Sequence, residues 1–340
     1  PVHFHMIGSV RNSYLRYNRI HHTFHRCISV HGVHHLRVIE NVCYLNKGHS
    51  IFVEDAVETK NIIQRNIVIG TRPCFSCLNS DMTPASYWLV NPDNYVERNI
   101  AAGSTHYGFW WFLEGHVVGA SGKERGSESV CPPGTPLLRF ADNEAHNNGK
   151  AGMRLGSASG MYAPKRNPCK AVGHHNPYQT AEFLRTYVWR NKQKGVIVGA
   201  LAAVHLVDFV TADNGWKNIE FRGVMETKAQ GGFGLDGGWG AVALVRPLIV
   251  GHDLPCPQCD RDPALLAYGA KLEGWGSGFD GFPRPWIRHG IATPHNTGLY
   301  VTGATFINFD RSSMIAVTGA HHNCEECPYG IQAANGVETR

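Results

Sequence analysis

The chain has few charged residues and no long apolar run. Charged side chains make up 17% of its 340 residues, and its net charge of +5 comes from basic residues that are scattered along the sequence. A nucleic-acid-binding protein usually clusters its basic residues on one face, so we expect no nucleic-acid partner. The most apolar stretch, residues 196–210, contains His205 and Asp208 and is too short to span a bilayer. Any contact with a membrane is therefore expected only through parts of the protein outside this chain.

Several common signatures are also absent. The sequence has no Asn-x-Ser/Thr glycosylation acceptor, no Ser-His-Asp signature and no catalytic cysteine motif. The glycine-rich tract at residues 231–240 lacks the Lys-Ser/Thr of a P-loop, which favours tight turning over phosphate binding. Long capped amphipathic helices and a leucine-rich consensus are missing as well, which excludes an α-solenoid and a leucine-rich repeat.

Short pairs of alternating apolar residues recur instead, and they are typical of strands with one buried face. Examples are Ile28/Val30, Leu36/Val38 and Ile51/Val53. Intervals of 15 residues (Leu36 to Ile51) and 23 residues (Val30 to Val53) repeat along the chain. Strands this short need stacked neighbours to bury a core, so the pattern predicts an all-β, right-handed parallel β-helix of ~22-residue coils and about ten coils. A β-sandwich with irregular turns is the alternative.

The predicted β-helix domain spans residues 1–323, with loop insertions at 71–84, 114–136, 156–180 and 252–296, followed by a cysteine-containing segment at 324–340. Polar turn residues such as Asn41, Asn99 and Asn143 are expected to stack their amides from coil to coil. Because the chain begins inside an apparent repeat at Pro1, we expect it to be a fragment of a larger ectodomain.

Ten cysteines favour an oxidising compartment over the cytosol. Three Cys-x-x-Cys pairs occur, and two such pairs could form a four-thiolate zinc site. Their loop-like, Pro- and Gly-containing surroundings favour disulfides, whose pairing the sequence does not reveal. The candidates are Cys74, Cys77, Cys131, Cys169, Cys256, Cys259, Cys324 and Cys327.

Aligning the coils predicts a ladder of His5, His31 and Glu54, which would lie ~5 Å apart from one coil to the next on an outer face. Asp55 adjoins it. These four residues are the catalytic candidates if the protein is an enzyme, because histidines and carboxylates can do acid–base work on a glycosidic bond. Divalent-metal or ligand binding, or a self-satisfied hydrogen-bonded ladder, are the other interpretations. The ligand-binding candidates near the ladder in the repeat are His3, His21, His22, His25 and His49.

The aromatic run at residues 107–112 contains Trp110 and Trp111. Rings that face outward would form a sugar-stacking platform, whereas rings that face inward would stack in the core.

The segments PVHFH, IHHTFHRCISVHG, GHSIFVEDAVE, TPASYWLVNPDN and AAGSTHYGFWWF resemble the parallel β-helix family shared by fibrocystin-L, fibrocystin and two cell-surface or migration-inducing hyaluronidases. The likeness is closer to the fibrocystin-L branch. It implies an extracellular or cell-surface structural or adhesion module, with a ciliary or flagellar surface as one location. The implied partners are an extracellular protein, a glycan or further copies of the chain in a surface coat. No cofactor is implied, with calcium or zinc left open.

The hyaluronidase branch of this family carries an acidic loop with Arg and Gly after its PVHFH motif. Here that position reads MIGSVRNSYLRYN, in which Gly8 and Arg11 remain but the acidic residues are missing. A carboxylate pair is the usual equipment for glycoside hydrolysis. The resemblance therefore favours a non-enzymatic module, with a hyaluronidase-like enzyme as the alternative.

Overall fold

The computed structural model is a parallel β-helix in which each coil contributes one strand to each of three sheets. It describes residues 1–156, 180–201, 204–224, 242–251, 288–293, 299–309, 314–318, 331–333 and 338–339. All strand pairs are parallel, and each sheet contains ten strands in the described residues. This confirms the predicted fold class and the number of coils.

Strands are numbered in chain order, and every third strand falls in the same sheet. The first sheet contains β1 (Val2–Ser9), β4 (Ile28–His34), β7 (Ile51–Val53), β10 (Ala85–Leu89), β13 (Tyr107–Trp111), β16 (Ala151–Leu155), β19 (Lys194–Leu201), β22 (Lys217–Val224), β25 (Arg288–Ala292) and β28 (Met314–Thr318). The second sheet contains β2 (Tyr14–Arg16), β5 (Arg37–Ile39), β8 (Ile62–Gln64), β11 (Tyr95–Glu97), β14 (Arg139–Ala141), β17 (Ala181–Leu184), β20 (Val204–Val207), β23 (Val242–Val245), β26 (Leu299–Thr302) and β29 (Ile331–Ala333). The third sheet contains β3 (Arg19–His21), β6 (Val42–Tyr44), β9 (Ile67–Ile69), β12 (Ile100–Ala102), β15 (Glu144–His146), β18 (Tyr187–Trp189), β21 (Val210–Ala212), β24 (Leu248–Val250), β27 (Thr305–Ile307) and β30 (Glu338–Thr339).

The 23-residue interval in the sequence marks two pairs of residues that are in register across one coil. Leu15 pairs with Val38, and Val30 pairs with Val53, each across one coil. The 15-residue interval instead relates strands of different sheets, because Val38 lies in β5 of the second sheet, with Leu36 just before that strand, and Ile51 lies in the first sheet. Most strands of the second and third sheets present a single inward residue, so stacking of identical positions builds the core.

Asparagine ladders run along the corners between sheets, as predicted. Asn41 donates its backbone N–H to Oδ1 of Asn66, Asn66 does the same to Asn99, and Asn99 does the same to Asn143. These side chains are fully buried. Their amides hold carbonyl and N–H groups that the strands leave unpaired at each corner, where an unsatisfied group would cost about 1–3 kcal/mol.

The helices in the described residues are four short 3-10 segments, all within the insertions: Asn79–Met82, Ser121–Lys123, Ser127–Ser129 and Pro132–Gly134. No helix in this part of the chain is long and apolar enough to cross a membrane.

Two predicted boundaries differ from the structure. The insertion at 252–296 was expected to be loop throughout, but β25 occupies Arg288–Ala292 at its C-terminal end and pairs with β22 and β28. The β-helix also extends past residue 323, since β29 and β30 lie in the predicted cysteine-containing segment. These strands are short and have Gly and Pro nearby. Each therefore shows too few alternating apolar and polar residues to be distinguished from a loop.

Candidate functional site

The register of the first three coils brings five predicted residues together on the outer face of the first sheet. His3 and His5 lie on β1, His31 lies on β4 and pairs with His5, and Glu54 and Asp55 directly follow β7. The backbone N–H of Glu54 donates to the carbonyl of Val30, which continues the ladder into the third coil. We call these five residues the histidine–carboxylate cluster.

His31 is the centre of the cluster and contacts three of its members. Its Nε2 lies 2.8 Å from Asp55 Oδ2. Its Nδ1 lies 3.1 Å from His5 Nδ1 and 3.5 Å from Glu54 Oε2. An ionised carboxylate only accepts hydrogen bonds, so the Nε2–H of His31 donates to Asp55, while its Nδ1 faces His5 and Glu54.

The insertion at 114–136 folds back and fixes Asp55 from outside. The backbone N–H of Ser121 donates to Asp55 Oδ2 at 2.8 Å, and that of Val118 donates to the Asp55 carbonyl at 3.0 Å. Gly119 lies between them with a φ of +63°, and a Cβ there would come within 2.0 Å of Asp55 Oδ1. Only glycine permits this close approach, so the insertion and the carboxylate are fitted to each other.

Glu58 stabilises the same turn by accepting backbone hydrogen bonds. Its carboxyl accepts the backbone N–H groups of Gly32 at 2.9 Å and of Asp55 at 3.1 Å. Burial raises the pKa of Glu58 to about 7, and the charge of Asp55 acts in the same direction. The turn that carries Asp55 is therefore held by a carboxyl group that titrates near neutral pH.

The five residues of the cluster differ in their exposure to solvent. His3 and His5 are exposed, Glu54 keeps 25% of its side chain accessible, and the side chains of Asp55 and His31 keep 4% and 7%. Burial, followed by the charges of His31 and His5, lowers the pKa of His3. Burial also raises the pKa of Glu54, although His31 opposes that effect. The lowered pKa of His3 favours its neutral imidazole, whose lone pair is available to a ligand.

A buried ion pair lies beside the cluster. Arg26 pairs with Asp81 from the 71–84 insertion, and its guanidinium stacks on the ring of Phe52, 3.5 Å from the centroid. Asp81 is fully buried and also accepts the backbone N–H of His49 at 2.9 Å. His25 reaches Asp81 at 3.7 Å. This pair fastens the insertion to the first sheet.

The remaining predicted ligand residues lie elsewhere. His21 and His22 are exposed at the end of β3 in the third sheet, with their Nδ1 atoms 3.0 Å apart. His49 is fully buried, and its ring lies 4.2 Å from that of Trp88. Burial lowers the pKa of His49 well below its usual range.

The two tryptophans of the aromatic run point to opposite faces of the sheet. Trp111 is fully buried inside the coils and packs edge-on against Phe140 and Phe183. Trp110 lies on the outer face against Trp88 and Arg154 but is only 6% exposed. Trp111 therefore packs in the core, and neither ring presents a broad open surface to a sugar.

The described cysteines all form disulfides. Cys74 bonds to Cys77, and Cys131 is also disulfide-bonded. The disulfide at Cys74 and Cys77 excludes a zinc–thiolate site at that pair. Cys169, Cys256, Cys259, Cys324 and Cys327 lie outside the described residues.

A disulfide between Cys27 and Cys43 was not predicted, since neither belongs to a Cys-x-x-Cys pair. Both side chains are fully buried inside the coil. Their 16-residue separation brings them together only once the coil has closed.

Residues 1–153 match the CEMIP beta-helix family model. Mouse fibrocystin-L is 30% identical over 321 residues, which cover 93% of this chain and 7% of that protein. The human cell migration-inducing and hyaluronan-binding protein is 30% identical over 225 residues, covering 54% of this chain and 16% of that protein. Human cell surface hyaluronidase CEMIP2 is 30% identical over 186 residues, covering 45% of this chain and 13% of its own length. The chain thus spans only a small part of these relatives.

Among solved structures, the mannuronan C-5 epimerase AlgE4 A-module of Azotobacter vinelandii covers 99% of this chain and 88% of its own, with 10% identity and a TM-score of 0.41. The relatives found by sequence are therefore the more informative comparison. Residues 1–153 match the CEMIP beta-helix family, and similarity to fibrocystin-L extends over 93% of the chain.

Proposed function

We propose that this chain is an extracellular, non-enzymatic β-helical module that binds an acidic glycan of the hyaluronan type at the histidine–carboxylate cluster. The observation that carries the proposal is the clustering of imidazoles from two successive coils, with His3 and His5 exposed and His31 held behind them. Ring nitrogens at an accessible edge can exchange hydrogen bonds with the hydroxyl and carboxylate oxygens of a sugar chain. Disulfides in the first coils support an oxidising, extracellular compartment.

The choice of glycan rests on chemistry and on the relatives. The names of two relatives refer to hyaluronan or to its cleavage. The CEMIP beta-helix family model matches residues 1–153, which contain the cluster. A polymer with a repeating uronate would meet the same exposed edge in any of its repeats. The rigid rod of stacked coils keeps that edge fixed, which lowers the ordering cost of binding.

The cluster lacks the usual equipment for glycoside hydrolysis. That reaction needs two carboxyl groups flanking the bond, one of them an acid. Of the two carboxylates here, Asp55 is 4% accessible and is occupied by His31 and the backbone of Ser121. Glu54 alone has accessible surface to approach a sugar, so binding without cleavage is expected.

Binding can be measured with immobilised hyaluronan of defined length. We expect the chain to bind it and His5→Ala to weaken binding at least ~10-fold, which corresponds to about 1.4 kcal/mol. His21→Ala is the matched control, because His21 is exposed and paired with another histidine but lies on the third sheet. It should bind like the unmodified chain.

The same samples, run on a gel with hyaluronan, test the second candidate function. The Nδ1 of His31 lies 3.5 Å from Glu54 Oε2, a contact that could support proton transfer during cleavage. We expect the polymer to keep its length. Shortening that Glu54→Gln abolishes would replace our proposal with an enzyme, and an absence of binding would contradict glycan recognition itself.

A further inference from the structure

We propose that the histidine–carboxylate cluster is a zinc site, with His5, His31 and Glu54 as ligands and His3 at its exposed side. The potential ligand atoms of His3, His5 and His31 all lie within 4.8 Å of one another, and so do those of His31, Glu54 and Asp55. The two groups share His31, so this residue would be common to a site formed from either group.

The separations match those around a tetrahedral zinc ion. Zinc binds imidazole nitrogen and carboxylate oxygen at roughly 2.0–2.2 Å, so two ligands at the tetrahedral angle lie about 3.3 Å apart. The Nδ1 atoms of His5 and His31 are 3.1 Å apart, and His31 Nδ1 is 3.5 Å from Glu54 Oε2. Each of these two separations is therefore compatible with a pair of ligands on one ion, and His31 is common to both pairs.

The groups behind the ligands are arranged as they commonly are around a metal-binding histidine. A zinc-binding histidine commonly donates its other ring N–H to a carboxylate, which fixes the ring and makes the free nitrogen more basic. Asp55 accepts that hydrogen bond from His31 Nε2 at 2.8 Å and is itself held by the N–H of Ser121. The 114–136 insertion thus orients the ligand without covering His3 and His5.

The donor set also selects among ions. Calcium and magnesium prefer six or more oxygen ligands, whereas imidazole suits zinc and its first-row neighbours. Two imidazoles and one carboxylate, with a third imidazole 3.9 Å from Glu54, therefore favour zinc over calcium. Solvent access at His3 leaves room for a water or an anionic ligand at the fourth position.

Without an ion, the facing nitrogens of His5 and His31 need one proton between them. That proton would make a hydrogen bond at the observed 3.1 Å, so the cluster can also be satisfied alone. Metal binding requires that proton to move to the other nitrogen of its ring, so that both Nδ1 atoms present lone pairs to the ion. The inference does not need glycan binding to be correct, since the ion can be measured with no sugar present.

The test is zinc competition between the 340-residue chain and a chromophoric chelator at neutral pH. We expect one tightly held equivalent, which His5→Ala and Glu54→Gln each weaken at least ~100-fold and Asp55→Asn weakens ~10–100-fold. His21→Ala should leave affinity and stoichiometry unchanged, and millimolar calcium should not displace the zinc. Cobalt in place of zinc should give a visible absorption band that the His5→Ala chain lacks.

Circular dichroism should show that each variant keeps its β-sheet signal, because His5 is exposed and Glu54 is at the edge of the cluster. The proposal is overturned if the folded His5→Ala and Glu54→Gln chains hold the tight equivalent as well as the unmodified chain. It is equally overturned if the unmodified chain holds none, or if calcium replaces the zinc.

Discussion

Replacing Asn66 with alanine is expected to lower the free energy of unfolding by about 3–5 kcal/mol. The Asn66 amide donates to the carbonyl of Val38 at 2.8 Å and to Asn99 Oδ1 at 3.1 Å, and its Oδ1 accepts two hydrogen bonds from Asn41. All of these groups are buried, and each one left without a partner costs about 1–3 kcal/mol. Because the lost hydrogen bonds join Asn66 to the coils on both sides, we expect both neighbouring coils to be destabilised. Urea unfolding followed by circular dichroism measures the effect.

Asn18→Ala is the matched control for this prediction. Asn18 stands at the end of the same ladder, is only partly buried, and donates both its N–H and its amide to Asn41. Its replacement leaves fewer buried groups unsatisfied, so we expect a loss of about 1 kcal/mol. Equal losses at Asn66 and Asn18 would mean that the ladder is not a chain of buried, mutually dependent hydrogen bonds.

Replacing Asp81 with asparagine is expected to cost about 3–5 kcal/mol, because it leaves the positive charge of Arg26 buried without a counter-charge. Arg26 is 3% exposed and Asp81 is fully buried. Burial lowers the pKa of Arg26, but the guanidinium remains protonated and needs an anion. The 71–84 insertion should loosen, and proteolysis within it should become faster. Thermal unfolding and limited digestion measure the two effects.

The exposed ion pair between Lys60 and Asp93 provides the control. The Lys60 side chain is 45% accessible, so water already solvates the pair that it forms at 2.6 Å. Asp93→Asn is expected to change stability by only about 0–1 kcal/mol. A similar effect of Asp81→Asn and Asp93→Asn would show that the buried pair is not what holds the insertion.

The fold was predictable because each coil repeats one physical requirement. A strand of three residues with one inward apolar side chain is stable only if the next coil covers it, so selection for a core leaves regular spacing in the sequence. Val30 and Val53, 23 residues apart, showed the true register. The 23-residue register relates His31 to Glu54, whereas His5, 26 residues before His31, is placed in the ladder by matching Val2 and Phe4 to Ile28 and Val30.

The contacts made by the insertions could not be predicted in this way. Nothing in the repeat indicates that Ser121 approaches Asp55, or that Asp81 approaches Arg26, because an insertion has no counterpart in the neighbouring coils. Gly119 was a weak signal, since glycine in a loop is common and its close approach to Asp55 appears only in the folded chain. The supporting residues of the cluster therefore had to come from the structure.

The sharp corners of the coils also could not be predicted from the sequence. Residues before the ladder asparagines adopt the left-handed conformation without being glycine, as at Glu40 (φ 56°), Arg65 (φ 54°) and Arg98 (φ 54°). Such a conformation costs roughly 1–2 kcal/mol for an ordinary residue. It is maintained by bonds between coils, such as that from the Glu40 N–H to the Gln64 carbonyl at 3.0 Å. Turn rules based on glycine and proline do not detect a corner of this kind.

Anomalous X-ray diffraction from crystals of this chain grown with zinc tests the central claim most directly, namely that successive coils place His5, His31 and Glu54 side by side as one site. The account predicts an anomalous peak at roughly 2.0–2.1 Å from the Nδ1 atoms of His5 and His31, with Glu54 completing the contact. The claim is contradicted if the electron-density map shows these three side chains apart from one another. It is also contradicted if the anomalous peak lies elsewhere and no zinc lies between the three side chains.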